Sequence, residues 1–186
     1  MKILFYYEQR GYGGVDTHMA HLINNWPNSQ DKFIVVSNPD NIGLEFFKNK
    51  ITGNNVDIVT IDNVFVDVGS TSFKLFNYFL AHFKFIFKFR SLLKDVRPDI
   101  FVVNNGGFPG GMTCWIAAIV GQLSKITRKK TFFLIHHAPA HSRKFFNFYA
   151  IFLAKWLCWL NVPAITVSYA SKRALEEYTP LLKIKV

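Results

Sequence analysis

Short apolar runs alternate along the chain with longer segments of helical periodicity. The runs cover residues 2–7, 32–37, 56–61, 99–104, 131–136 and 164–168. Helical spacing of apolar positions covers residues 14–26, 71–95, 111–124, 143–160 and 169–178, and residues 40–50 are expected to hold a short helix. Nearly continuous apolar strands are typical of strands buried on both faces. The alternation therefore predicts one α/β domain, a doubly wound parallel sheet with helices on both faces.

Glycines, amides and histidines follow the predicted strands at their carboxyl ends, where a sheet of this kind forms its ligand crevice. These polar segments are residues 8–14, 104–111 and 136–141, together with Ser168. The basic segment 125–130 is expected to lie away from that crevice. The pattern favours a polar ligand at the carboxyl edge.

Gly13 and Gly14 follow the first strand and open the first helix. Exposed backbone N–H groups at a helix N-terminus favour an anion, so a phosphate could bind there. A tight turn that needs glycine for conformational reasons is the alternative. Asp16 stands where the dinucleotide-binding fingerprint has its third glycine, so the motif does not favour NAD.

The histidines form two groups. His18 and His21 lie three residues apart in the first helix without the glutamate of a zinc-protease motif, so no metal site is expected there. His136 and His137 end a strand, where successive side chains point to opposite faces. One of them should face the crevice and donate a hydrogen bond to a substrate hydroxyl or phosphate. Loop histidines that are satisfied within the chain are the alternative, and a zinc triad with His141 is disfavoured.

Asn104 and Asn105 precede a glycine-rich loop, residues 106–111. Their amides suit recognition of sugar hydroxyls, because an amide offers both donors and acceptors. A turn sequence selected for its backbone conformation explains the same residues, and both explanations can hold together.

The positive charge of the chain is concentrated in one section, and this indicates the kind of partner that it binds. The chain has 186 residues and a formal net charge of +10. Residues 71–144 carry twelve Lys or Arg against two acidic residues, which accounts for the whole excess. Such a section indicates an anionic membrane surface or a phosphorylated ligand as partner. Nucleic acid is not expected, since no stacking module or DNA-reading motif is present.

Two aromatic helical segments, 73–93 and 145–160, are interrupted by lysines and arginine, so neither is expected to span a membrane. A helix with Lys and Phe side by side can lie in a membrane interface, or its aromatics can pack in the core. The N-terminal apolar run is too short for an export signal, and Cys114 and Cys158 are expected in the core of a reducing compartment. A cytoplasmic protein is predicted, at the inner face of the membrane if the basic helices meet lipid.

Four segments resemble the GT4-type (group 1) glycosyltransferases, a family of GT-B fold. Residues 13–22 resemble the family's opening GG-x-E-x-H-x-x-x-L, and residues 97–104 are similar to its "kPDiihaH" strand. Residues 133–136 look like its "tvH" strand and residues 164–172 like its "aviavSeask" segment. The matches fall in the family's order and cover nearly the whole chain. They imply a Rossmann-like domain over residues 1–186, corresponding to the N-terminal, acceptor-binding half of such an enzyme.

The resemblance also implies roles for individual residues. His136 would contact the donor sugar near the reacting centre as the catalytic residue, while Gly13, Gly14 and Ser168 would bind the donor. The acceptor side would be formed by Asp16, Asn104, Asn105 and His137. Aspartate at 16, asparagine at 104 and histidine at 137 depart from the commoner residues of the family pattern. The resemblance implies no bound metal. The nucleotide sugar is implied as a substrate, and no other cofactor is implied.

The implied reaction is retaining transfer of a hexose-like sugar from a nucleotide sugar to a glycan or lipid-linked acceptor, as in polysaccharide biosynthesis. The family's C-terminal donor-binding domain is absent from the sequence, so a further segment or partner chain would have to supply it. A non-catalytic peripheral membrane or partner-docking module is the alternative from another class. A flavodoxin-like binder of small ligands is a third.

Overall fold

The fold is described from a computed structural model. The structure describes residues 1–9, 11–53, 55–62, 72–137, 144–179 and 184–186, with the side chains of 72–75 and 144–147 left out. His141 and Arg143, which the sequence places in the histidine loop and the basic section, lie outside the described residues.

Seven parallel strands form one sheet with the order β3-β2-β1-β4-β5-β6-β7. The strands are β1 (Lys2–Tyr6), β2 (Lys32–Ser37), β3 (Val56–Thr60), β4 (Ile100–Asn105), β5 (Thr131–Ile135), β6 (Ala164–Thr166) and β7 (Ile184–Lys185). The order reverses direction between β1 and β4, as in the Rossmann topology. The predicted fold class, a Rossmann-like doubly wound α/β sheet, is therefore confirmed.

Six helices connect the strands. They are α1 (Gly14–Asn24), α2 (Gly43–Lys50), α3 (Ser72–Val96), α4 (Met112–Leu123), α5 (Lys144–Trp159) and α6 (Tyr169–Tyr178). The predicted elements agree with these bounds to within three residues at each end, because the apolar periodicity that predicts them is the pattern that the core buries. Among the described residues, no helix combines the length and apolarity needed to cross a membrane.

Each face of the sheet has its own core. Alternate strand residues such as Ile3, Phe5 and Val35 pack against α1 and α2 on one face. The intervening residues, including Tyr6 and Val103, pack against α3, α4 and α5 on the other. We call the outer surface of this layer of helices the α3–α5 face. Because side chains alternate along β1 with a period of two, this strand contributes residues to both cores.

Helix α4 lies against the centre of the sheet. Residues 112–118 are all buried, and a Cβ atom on Gly121 would lie 2.5 Å from the Phe101 ring. Glycine at this position lets the helix approach β4 closely. Cys114 is buried in the same helix, whereas Cys158 of α5 is only partly buried, and the two are not joined by a disulfide.

Candidate functional site

The carboxyl ends of β1 and β4 lie side by side where the strand order reverses, since Tyr6 pairs with Val103. Helix α1 leaves β1 toward one face and α4 leaves β4 toward the other. The divergence opens a crevice outside the strand ends, which is the usual ligand site of such sheets. The segments after β1, β4 and β5 line it.

The loop that opens α1 is held by Asp16. One carboxylate oxygen of Asp16 accepts hydrogen bonds from the Gly13 backbone N–H at 3.0 Å and from Gln9 Nε2 at 2.8 Å. The Gly13 N–H is thereby used within the chain. The exposed Gly14, which is the first residue of the helix, remains the better candidate for contact with an anion.

Asp16 has no exposed surface. The Tyr7 hydroxyl is buried beside it, and a Cβ atom on Gly43 would lie 2.7 Å from the Asp16 carboxylate. Burial raises the pKa of Asp16, and burial together with the Asp16 charge raises the pKa of Tyr7. The predicted contact of Asp16 with the acceptor stays a prediction. In this conformation its carboxylate accepts hydrogen bonds from the loop that opens α1.

Asn105 organises the loop at residues 106–111. Its Nδ2 donates to the Gly107 carbonyl at 2.8 Å, and its Oδ1 accepts from the Gly111 N–H at 2.9 Å. Gly110 has a φ of 60°, and a Cβ atom there would lie 2.2 Å from the Asn105 amide oxygen. Both explanations of this glycine-rich sequence can therefore hold, because the turn needs glycine and the amide positions it.

Asn104 and His136 form a buried pair across β4 and β5. The Nε2 of His136 is hydrogen-bonded to the amide oxygen of Asn104. An amide oxygen can only accept, so Nε2 carries the proton. A neutral ring with this tautomer leaves Nδ1 as an acceptor, which suits a ligand hydroxyl and disfavours a phosphate oxygen. The prediction that one of the two histidines donates to a substrate stays a prediction, and in this conformation the Nε2 proton of His136 is directed at Asn104.

The ring of His136 is neutral at ordinary pH. It packs edge to face against His18, with ring centroids 4.7 Å apart. Burial, His18 and His137 together lower the pKa of His136 to about 4. Efficient general bases have a pKa near the working pH. His136 is therefore suited to binding a hydroxyl group and poorly suited to removing a proton.

His137 lies beside the same site. It is exposed, and its Nε2 is 4.0 Å from the position that a Cβ on Gly14 would occupy. Its own Cβ is 3.5 Å from the position that a Cβ on Gly107 would occupy. The expectation that His136 and His137 point to opposite faces rests on strand alternation, and β5 ends at Ile135, before both histidines. Both histidines adjoin the first half of α1.

Sequence reasoning missed the function of two residues. The carboxylate of Glu8 accepts hydrogen bonds from the Thr113 N–H at 2.9 Å and from the Thr113 hydroxyl at 2.5 Å, so it fills the N-terminus of α4. The sequence offers His18 only as a candidate metal ligand, whereas its ring packs against that of His136. An acid at a strand end and a histidine in a helix carry no signal that identifies these distant partners.

Ser168 serves as the N-cap of α6. Its hydroxyl oxygen accepts a hydrogen bond from the Ser171 N–H at 3.1 Å. This contact explains the residue locally. Its donor contact stays a prediction.

The structure brings together most of the predicted site. Gly14, Asn104, His136 and His137 lie close together at the carboxyl edge of the sheet, and Asp16 and Asn105 support the adjoining loops. Ser168 follows β6, one strand beyond β5. In the described part of the chain, no group of three His, Cys, Asp or Glu side chains is placed to hold a metal ion.

The family model for Glycosyltransferase Family 4 matches residues 12–186. Among solved structures, the chain is similar to MurG of Acinetobacter baumannii, with 15% identity, a TM-score of 0.51, and coverage of 89% of this chain and 41% of that one. It is also similar to a UDP-N-acetylglucosamine 2-epimerase, with 13% identity, a TM-score of 0.53, and coverage of 95% and 44%. No curated protein matches the chain.

At these identities the two structures establish the fold alone, and this chain spans less than half the length of either. The family match extends over nearly all of the sequence, including the crevice residues. The predicted family is thereby confirmed. The chain belongs to Glycosyltransferase Family 4.

Proposed function

We propose that the chain forms the acceptor-binding domain of a glycosyltransferase that transfers a sugar from a nucleotide-sugar donor to a glycan or lipid-linked acceptor. The observation that carries this proposal is the neutral His136, held by Asn104 beside the start of α1. A hydroxyl-accepting nitrogen next to exposed backbone N–H groups suits a sugar that bears a phosphate.

The donor diphosphate is proposed to lie near Gly14, where the positive end of the α1 dipole favours negative charge. His137 is exposed close by and can contact the acceptor or the donor phosphates. Retention of configuration and transfer of a hexose rest on the family resemblance. No bound metal is required by this arrangement.

We further propose that a second domain, on a continuing segment or a partner chain, supplies most donor contacts. The chain spans 41% of MurG and 44% of the epimerase, which supports this division. Transfer requires donor and acceptor to be held together. The 186-residue chain alone is therefore expected to give no turnover with a panel of nucleotide sugars, and efficient turnover would contradict the half-enzyme proposal.

The role of His136 is tested by sugar transfer in the assembled enzyme. Replacing His136 by Ala should lower kcat/KM by about 100-fold, the effect of removing one well-placed polar contact to the reacting sugar. His21→Ala, on the exposed side of α1, is the matched control and should keep the activity of the wild type. Equal activity of the two variants would contradict the proposal.

A second role, attachment to an anionic membrane, is favoured by the α3–α5 face. Phe83 and Phe87 of α3 and Trp159 of α5 are exposed, with basic residues beside them. Aromatic and basic side chains on one surface are typical of proteins that bind membrane interfaces. Sedimentation with phosphatidylglycerol vesicles at low and high salt tests it, and binding that does not respond to salt would contradict an electrostatic attachment.

A further inference from the structure

An apolar trough crosses the α3–α5 face. Its floor is formed by α4, including Ile116 and Ile119, and its walls by α3 and α5, including Phe83 and Phe152. The trough has a volume of about 460 Å³. The stacked rings of His82 and Tyr149, with centroids 6.0 Å apart, also line it. Volume and lining are those of a site for one small apolar group or chain.

The trough adjoins a basic pocket at the amino edge of the sheet. Leu123 lines both cavities, and Trp159 connects the basic pocket to the surface around Trp156. The basic pocket has a volume of about 630 Å³ and is lined by Arg128 and Lys129. The trough thus lies next to two cations, and we call the trough and the basic pocket together the channel.

The cations at this end lack internal partners in the part of the chain that the structure describes. No carboxylate there forms a salt bridge with Arg128, Lys129 or Lys155, whereas Lys88 does pair with Asp62 at 2.8 Å. Arg128 and Lys129 are exposed. Their charge is therefore available to an external anion.

We propose that this channel binds one anionic membrane phospholipid, with an acyl chain in the trough and the phosphate against Arg128 and Lys129. The proposal deepens the membrane attachment proposed above and rests on it. It identifies a lipid site at the basic segment 125–130, which the sequence placed away from the crevice.

Two other occupants fit less well. A second copy of the chain in a twofold contact would bring the same cations together, which is unfavourable. A lipid-linked acceptor would need its phosphate near His136, at the opposite end of β5. The five residues of β5 separate the two edges by about 17 Å at 3.3 Å per residue.

The test uses the 186-residue chain and vesicles of phosphatidylcholine and phosphatidylglycerol whose acyl chains carry bromine. Bromine quenches tryptophan fluorescence on contact, and Trp156 and Trp159 adjoin the channel, whereas Trp115 is buried in the core. We expect quenching that disappears in the variant Trp156→Phe/Trp159→Phe. Binding without any quenching would leave the membrane attachment intact and overturn the lipid site.

The phosphate contact is tested by Arg128→Gln/Lys129→Gln. Vesicle affinity should fall about 30-fold, which corresponds to about 1 kcal/mol for each cation near an anionic surface. Lys48→Gln/Lys50→Gln in α2, on the opposite face of the sheet, is the matched control and should change affinity much less. Equal losses in both variants would overturn a specific phosphate site, because they would indicate attraction by net charge alone.

The trough is tested by Ile119→Phe, which fills its floor and should reduce quenching. The folding of this variant is checked by circular dichroism, and the quenching experiment with the wild type does not depend on the variant.

Quenching only when polyprenyl phosphate is added to phosphatidylcholine vesicles would assign the channel to an acceptor lipid and overturn the proposal. A dimer that protects Trp159 without lipid would overturn it as well. No vesicle binding at all would remove the membrane attachment together with the lipid site.

Discussion

The surroundings of His136 set its chemistry. Asn104 fixes its tautomer, and His18 and burial keep the ring neutral. The sequence predicted His136 as a site residue, because it ends a strand beside other polar residues. It could not predict the tautomer or the support from His18, since both depend on partners brought near by the fold.

Two buried histidines should make stability depend on pH. Burial lowers the pKa of His82 to about 4, and the pKa of His136 is also about 4, whereas an unfolded histidine has a pKa of 6.5. As the pH falls from 6.5 toward 4, the unfolded chain takes up protons that the folded chain does not. The free energy of unfolding should therefore decrease over this range, by about 1.4 kcal/mol per pH unit for each histidine once the unfolded form is protonated.

Urea denaturation at a series of pH values measures this dependence. His82→Leu should reduce the slope, and His82→Leu/His136→Gln should reduce it further, while His18, whose pKa burial also lowers, keeps a part of it. Slopes that remain equal in wild type and double variant would show that neither histidine is kept neutral by folding.

Asp16 should stabilise the loop that opens α1. Replacing Asp16 by Ala removes the acceptor of the Gly13 N–H and of Gln9 Nε2, and leaves the buried Tyr7 hydroxyl without its neighbour. We expect the free energy of unfolding to fall by about 2 kcal/mol. The Gly13 amide should also exchange its hydrogen faster.

Hydrogen exchange followed by NMR checks the local effect, and denaturation checks the global one. Asp57→Ala, at an exposed position of β3, is the control and should change neither by much. An unchanged exchange rate at Gly13 would contradict the anchoring role of Asp16.

At the scale of elements, the periodicity of apolar residues predicted every helix and the six longer strands. The contacts that position them depend on single residues that periodicity does not identify. Gly121 sits against Phe101, and the loop after β4 turns at Gly110 around Asn105. Such close approaches are visible only once the elements are packed.

The close approach of α4 to the sheet predicts that Gly121→Ala destabilises the protein. The added methyl would lie 2.5 Å from Phe101 and 2.9 Å from the Thr131 hydroxyl, both fully buried. Overpacking costs about 1–3 kcal/mol, which outweighs the gain of about 1 kcal/mol in helix propensity. A net loss of about 1 kcal/mol is expected in thermal or urea denaturation.

Gly11→Ala is the control, because nothing lies within 4 Å of the position that its Cβ would take. This variant should be as stable as the wild type. A Gly121→Ala protein more stable than the wild type would show that α4 can move away from β4 at little cost.

For the whole molecule, the charge and the sheet polarity separate two regions. The carboxyl edge gathers the residues proposed to bind sugar substrates, while the basic segment 125–130 joins the trough at the amino edge. The sequence located the excess charge and predicted that the segment 125–130 lies away from the crevice, but it could not predict the trough beside that segment. The position of the trough beside the Arg128 pocket depends on how α3, α4 and α5 pack.

The most direct test of the central claim is an NMR titration of the chain that follows backbone amides and histidine rings. The titrants are a panel of nucleotide sugars and of glycan acceptors. We predict that at least one compound gives saturable shifts at Gly14, His136 and His137, with His136 keeping its Nε2 proton. If no compound perturbs these residues, or if all shifts fall on the α3–α5 face, the carboxyl edge is not the sugar-substrate site.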